Sequence, residues 1–471
     1  MTTKIGQMAQ EMTATNPWWR SRDWHVLDQD LRAAEAEGIT YEPPVLADLQ
    51  PGSLYLLRGP RRIGKTVAVK RKIKQLIDDG VPPRAIVRAA VDGWAAKDVR
   101  TLVQNTALPP PPDGHVRYWF LDEISATAGD WDFHVKWLRD NDPEFGRACV
   151  VMTGSDAAEL TRAAGTLAGR RGLAPDVDRT LLPMGFATFM RLRGDLPDLQ
   201  LPLDQIHSRT GADMYNELLP WLDELTRGWD LYLQCGGVPS AVAATDRGEP
   251  IPQAFLQTMM DVISRDAFGT SRLNRTQTTT LLERLWHSMA TPANLSNIAT
   301  DIDTSSDTVT RHVEYLRDAY LAWTCPQRQE DNWLPRTRAQ DKIYAIDPLV
   351  ARLANLLNRE RGDMDPTVLT EMMVGVALHR AGLRAGRLWI DDERIFYVRT
   401  PTRKEIDFVS ADFGGAAIEG KYTEGGRWRS EAATVNASPW DGVLVTRNVL
   451  DVDGDDAWAV PAGILACLID T

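Results

Sequence analysis

The chain has 471 residues, 43% of them hydrophobic and 25% charged, with a formal net charge of −12. That length predicts two to four domains, and the acidic balance excludes a protein drawn to nucleic acid by its overall field, so any such contact must rest on local patches. Cys149, Cys235, Cys325 and Cys467 lie far apart and show no C-x-x-C spacing, which speaks against a clustered zinc motif or a disulfide framework. The opening residues lack a charged region followed by an apolar core, and no apolar run approaches roughly 18 residues. The expectation is therefore a cytoplasmic protein that neither enters nor crosses a membrane.

In chain order, residues 1–50 read as a polar tail, then Asn16-Pro17-Trp18-Trp19-Arg20, then a helix over 24–37. Val26, Leu27, Leu31 and Ala34 would lay that helix against the next domain. The apolar run Leu54–Leu57 predicts a strand, and 67–77 predicts a helix. Between them stands Gly59-Pro60-Arg61-Arg62-Ile63-Gly64-Lys65-Thr66. Strand, glycine loop and helix make the setting of a phosphate-binding loop. Gly59 and Gly64 allow the backbone to curl its N–H groups inward. Lys65 would reach the β- and γ-phosphates, and the Thr66 hydroxyl would ligate Mg²⁺. Residues 57–77 hold eight Lys or Arg and no acid.

A second strand is expected over 85–92, and a break at 109–114. The run Val116–Leu121 predicts a strand buried on both faces, ending in Asp122-Glu123 at the edge where such sheets place their chemistry. Asp122 would hold Mg²⁺ through water, and Glu123 would polarise the attacking water. A helix over 131–139 precedes another buried strand, Ala148–Met152, that ends in Thr153-Gly154-Ser155. Thr153 or Ser155 could orient water. Arg170 or Arg171, on the following loop, could reach phosphates of its own or a neighbouring subunit.

These segments together resemble an ATPase core of the AAA superfamily. Leu167–Arg170, Leu182–Phe186 and the Gly236-Gly237-Val238-Pro239 stretch resemble one prokaryotic branch that joins such a core to a winged helix and a C-terminal domain of unknown function. The resemblance implies an α/β, multidomain chain: a tail and docking helix at 1–50, a parallel-sheet P-loop core at 51–190, a helical lid at 191–275, a winged helix at 276–345 and a nuclease-like α/β domain at 346–471. It implies ATP and Mg²⁺ as cofactors, a homo-oligomer, and DNA or a protein as partner. Within 276–345, Ser305 or Ser306 would cap a helix buried through Val309, Val313, Leu316 and Tyr320. Its outer face, Thr310, Arg311, Glu314 and Arg317, carries both signs and suits DNA or protein.

In the last segment, helices are expected to run to Ala381, with Gly382 as their stop, followed by strands at 394–399, 405–409 and 416–422. Asp412–Gly415 would turn the second strand into the third and bring Asp407 beside Glu419, while period two places Glu419 and Lys421 on one face. Two carboxylates with a lysine suit Mg²⁺-dependent phosphodiester cleavage. The set Glu371, Asp407, Glu419 and Lys421 is similar to the PD-(D/E)xK nuclease arrangement, from which Gly420 departs where an apolar residue is usual. The resemblance implies Glu371, Asp407 and Glu419 as metal ligands. Two readings follow: an MgATPase coupled to a nuclease-like domain acting on DNA, or an ATP-dependent switch whose nuclease-like domain is silent.

Overall fold

The computed structural model describes all residues except 1–3, 40, 106–107, 109–110, 113, 269–272, 359, 361, 385–393, 401–403, 455 and 471. Half of the expected break at 109–114 (109, 110 and 113) lies outside the described residues. The chain forms two compact units, Met1–Leu182 and Pro183–Thr471.

In the first unit, β1 (Leu54–Arg58), β2 (Ile86–Ala90), β3 (Tyr118–Asp122), β4 (Cys149–Thr153) and β5 (Asp178–Thr180) form a parallel sheet in the order β2-β3-β4-β1-β5. β1 and β4 are buried along their whole length, as a sheet covered on both faces requires. β5 escapes a reading by hydropathy because Asp178-Arg179-Thr180 carries no apolar residue.

The opening segment belongs to this unit. Where a polar tail was expected, Lys4–Thr15 is a helix that buries Met8 and Met12 in the core around β2 and β3. Trp18 and Trp19 both donate their indole N–H to the Ile86 carbonyl, at 3.1 and 2.9 Å. The expected helix over 24–37 is broken into Trp24–Leu27 and Gln29–Ala36, because Asp28 caps the second piece by accepting from the N–H groups of Asp30 and Leu31. That break turns Val26 and Leu27 outward, 56% and 78% exposed, and leaves Trp24 and Leu31 to make the contact.

The second unit holds the three remaining expected segments in one body. Helices Phe186–Arg191, Leu222–Cys235 and Pro366–Arg384 pack around the C-terminal helix Ala462–Ile469, which is buried along its full length. Such an all-apolar helix needs cover on every side. Leu295–Asp301 and Ser306–Asp318 form the expected helix pair, capped by Ser305, and are followed by an antiparallel hairpin, β6 (Ala322–Cys325) and β7 (Lys342–Ala345). A mixed sheet, ordered β12-β11-β10-β9-β8, follows: β8 (Phe396–Arg399), β9 (Glu405–Val409), β10 (Ala416–Gly420), β11 (Asp441–Thr446) and β12 (Trp458–Pro461). Gly382 does not stop its helix, which runs on to Arg384.

Gly236 and Gly237 are fixed by close approach. A Cβ on Gly236, whose φ is +70°, would lie 2.0 Å from Asp347 Oδ1, and one on Gly237 would lie 2.0 Å from the Met184 carbonyl oxygen. The Gly237 N–H donates to Asp347 Oδ2 at 2.7 Å, and Asp347 also caps helix Pro348–Leu357. All four cysteines are buried and unpaired, Cys149 in the first unit and the others in the second. Among the described residues no helix is long and apolar enough to cross a membrane.

Candidate functional site

The loop after β1 turns through Gly59 at φ +143° and Gly64 at φ +96°. A Cβ on Gly59 would lie 2.0 Å from the Leu181 carbonyl oxygen, so only glycine fits. Ile63 is buried in the apolar cluster behind the loop and anchors its centre, while Arg61 and Arg62 are exposed on its lip. Helix Lys65–Asp78 starts directly at Gly64, and no side chain caps it. Its first N–H groups therefore point at the loop's hollow, the arrangement that receives a phosphate.

The charged residues expected at this site do come together. Lys65 is 5% exposed and folds back, donating to the carbonyls of Gly59 and Pro60 at 2.7 and 2.8 Å and to Ser155 Oγ at 2.9 Å. Ser155 Oγ in turn donates to Glu123, 3.1 Å from Oε1. The Thr66 hydroxyl donates to Asp122 Oδ2 at 3.2 Å, and Thr153 donates to Asp122 Oδ1 at 2.6 Å. Thr153 also receives the Glu123 N–H at 2.9 Å, which helps hold Glu123 in the left-handed region at φ +56°. Thr66 and Asp122 offer the hard oxygen donors that Mg²⁺ takes, side by side.

Arg88 was not anticipated. Its guanidinium pairs with Asp122 Oδ2 from the neighbouring strand β2. Burial alone would raise the Asp122 carboxyl, but the Arg88 charge and the hydrogen bonds from Thr153, Arg88 and Thr66 outweigh it and hold the group below the usual carboxylate range. The sequence signal was faint: one arginine inside an otherwise apolar strand.

Arg170 and Arg171 are not brought to this loop. The Arg171 carbonyl accepts from Leu54 N–H at 2.9 Å, at the opposite end of β1 from Gly59. Arg170 pairs with Asp140 at 2.7 Å and Arg171 with Asp178 at 2.6 Å. The first expectation for these two, a finger on phosphates of their own subunit, is thereby corrected.

In the second unit, the turn over 412–415 joins β9 to β10 in antiparallel register, with Phe408 opposite Ile418, which sets Asp407 beside Glu419. β10 ends at Gly420, one residue short of Lys421, yet Lys421 Nζ lies 2.7 Å from Glu419 Oε1. Glu371, on helix Pro366–Arg384, packs over Gly420: a Cβ there would lie 3.1 Å from the Glu371 Cβ. Gly420 thus stands where the helix approaches β10 closely, which is why no apolar side chain is found there. Burial, then repulsion from Asp407, pushes the Glu371 carboxyl up to about 7.

The expected metal ligands are engaged by other groups of the second unit. Lys342 of β7, not anticipated from sequence, places its ammonium 2.9 Å from Asp407 Oδ1 and 3.1 Å from Glu371 Oε1. The other Asp407 oxygen accepts the Gly420 N–H at 3.0 Å, and Tyr344 OH donates to Glu371 Oε1 at 2.5 Å. Among the described residues no three His, Cys, Asp or Glu side chains are arranged to hold a metal ion.

Residues 52–190 match the family described as an AAA domain, and residues 226–360 match a domain of unknown function, DUF8612. No curated protein matches the chain. Among solved structures, a Walker-type ATPase of Pyrococcus abyssi is 12% identical at a TM-score of 0.35, over 64% of this chain and 91% of its own. The Aeropyrum pernix ORC2 protein, solved as ADPNP–ADP complexes, is 11% identical at 0.33, over 71% and 95%. The Bacillus subtilis DNA clamp loader delta protein is 8% identical at 0.26, over 70% and 96%. Likeness at this level says nothing about what this chain does. The family match, on the same residues that build the parallel sheet and its glycine loop, carries the assignment: residues 52–190 are an AAA-superfamily P-loop ATPase domain.

Proposed function

We propose that the first unit binds and hydrolyses MgATP at the 59–66 loop, and that its nucleotide state governs the second unit. The observation behind this reading is the chain of contacts Lys65–Ser155–Glu123 beside Thr66–Asp122–Thr153. The loop N–H groups and the uncapped helix start would bind the phosphates, and Lys65 would leave its two carbonyl partners for them. Thr66 and Asp122 would hold Mg²⁺, which when bound neutralises charge on the phosphates. Glu123 would take a proton from the attacking water, with Ser155 and Thr153 fixing the carboxylate and the backbone that carries it. Arg170 and Arg171 are paired with Asp140 and Asp178 of their own chain, so an arginine at the phosphates would come from a neighbouring copy.

The test is phosphate release by the purified protein. Glu123→Gln is expected to slow turnover by about 100-fold or more while nucleotide binding persists. Turnover by Glu123→Gln at the wild-type rate would overturn the role given to that carboxylate. Turnover per chain should also rise with protein concentration if the arginine comes from another copy.

For the output of this ATPase, one observation favours the switch over cleavage of DNA: Asp407 and Glu371 already share the Lys342 ammonium. In this reading the second unit binds and changes conformation without cutting a phosphodiester. Absence of metal-dependent plasmid nicking, alongside ATP turnover, is the expected result. Nicking that Lys421→Ala abolishes would restore the coupled-nuclease reading.

A further inference from the structure

We infer that the Lys342 ammonium is the resident cation of the carboxylate cluster in the second unit, standing where this strand arrangement would otherwise take a divalent metal. The inference rests on the non-cleaving reading of that unit and is independent of whether the first unit hydrolyses ATP.

The Lys342 side chain is 0% exposed, and its three N–H donors face three acids: Asp407 at 2.9 Å, Glu371 at 3.1 Å and Glu405 at 3.6 Å. The Tyr397 ring lies 5.6 Å from the same ammonium. The other acids of the cluster are partly matched, and Glu419 Oε2 is buried without a hydrogen-bond partner among the described residues. Arg399 pairs with Glu405 at 2.6 Å and Lys421 with Glu419 at 2.7 Å. A divalent ion needs oxygen ligands at roughly 2.0–2.6 Å, one or two of them from carboxylates free to turn toward it. Here one Asp407 oxygen is bonded to Lys342 and the other to the Gly420 N–H, while Glu371 Oε1 is shared by Lys342 and Tyr344.

The strand that carries the ammonium is fixed. β7 pairs with β6 along four residues, and Lys342 itself bridges to Pro292. The chain leaving β6 pairs with the edge of the mixed sheet: Tyr397 N–H donates to the Pro326 carbonyl at 3.0 Å, and Arg328 N–H to the Tyr397 carbonyl at 2.9 Å. The hairpin after the capped helix is therefore docked onto β8, with Lys342 as its charged rivet. The carboxylate cluster and its ammonium thus act as a joint between the hairpin and the sheet.

The test uses the full-length protein without nucleotide. Mn²⁺ is titrated and its free concentration followed by electron paramagnetic resonance. Wild type and Asp407→Asn should bind the same amount; one equivalent bound by wild type and lost in Asp407→Asn would overturn the assignment. Thermal melting supplies the second readout. Lys342→Met should lower the midpoint of the second unit, and the triple variant Lys342→Met, Glu371→Gln, Asp407→Asn should recover most of it. A triple variant no more stable than Lys342→Met, or a Lys342→Met protein as stable as wild type, would overturn it. Recovery in the triple variant supports the assignment even where Lys342→Met alone does not fold. None of these readouts needs ATP, so they stand or fall apart from the Glu123→Gln test.

Discussion

At the residue scale, most of the charged set was legible because its members stand where a strand or a glycine loop ends. Lys65, Thr66, Asp122 and Glu123 each occupy a position that local pattern alone identifies. Arg88 and Lys342 do not. Each sits inside a strand, and each acquires its meaning from acids 34 and 65 residues away, which only tertiary structure supplies. Arg88 offers a direct test. Removing it in Arg88→Met leaves Asp122 buried without its main countercharge, so the nucleotide-free first unit should lose about 3 kcal/mol in urea unfolding. Adding Asp122→Asn should return much of that loss, since the uncompensated charge disappears. His379 offers another. It lies edge-on to Trp323 at 4.6 Å, and burial pushes its pKa down to about 3. The folded chain keeps it neutral, whereas the unfolded chain takes up a proton near its ordinary 6.5. Its contribution is whole above about pH 6.5 and is lost as pH falls toward 3. Between pH 7 and 5 the second unit should lose about 2 kcal/mol through this group, and His379→Phe should abolish that part of the slope in urea midpoints measured at both values.

At the scale of elements, hydropathy located β1–β4, β8–β10 and the amphipathic helices but misjudged their ends, and it missed the buried strands β6, β7, β11 and β12. Asp28 broke one expected helix because its carboxylate offered the next turn a cap, while Gly382 failed to end another because the helix is held by packing around it. β5 was invisible for a different reason: it is held to β1 by backbone pairing and by the Asp178–Arg58 ion pair, and Asp178 also meets Arg171, so no apolar residue marks it. Glycines were legible as punctuation but not as fits. Gly237 is the sharpest of them, since its N–H, its carbonyl and its missing side chain are all engaged: the N–H by Asp347, the carbonyl by Met184 N–H at 2.7 Å, and the empty Cβ position by the Met184 carbonyl. Gly237→Ala should therefore cost more than about 4 kcal/mol, seen as loss of the cooperative circular-dichroism melt of the second unit, whereas Gly248→Ala, with open space around it but a φ of +67°, should cost only about 1 kcal/mol.

At the scale of the whole molecule, the five segments expected from resemblance condense into two bodies. The boundaries drawn at residues 190, 275 and 345 follow motif order. The packing follows burial: helix Ala462–Ile469 from the far end of the chain is clasped by helices 186–191 and 222–235, so the lid segment and the nuclease-like segment cannot be separate cores. Two bodies predict two calorimetric transitions. MgATP at 100 times its dissociation constant should stabilise the first body by about 2.7 kcal/mol, moving its midpoint up by roughly 5–10 °C, with a smaller shift of the other that measures the coupling between them. A shift of both transitions together would mean that the bodies unfold as one.

The enclosed thiols give the two bodies separate clocks. Burial pushes Cys149 up to about 12, Cys235 to about 12 and Cys467 to about 11, so each sulfur is both shielded and protonated while its surroundings stay closed. An aromatic disulfide reagent would then colour only as a body opens. One sulfur reports on the phosphate-loop body and three on its companion, and mass-resolved labelling with and without MgATP would time the two openings in a single tube, with no engineered dye.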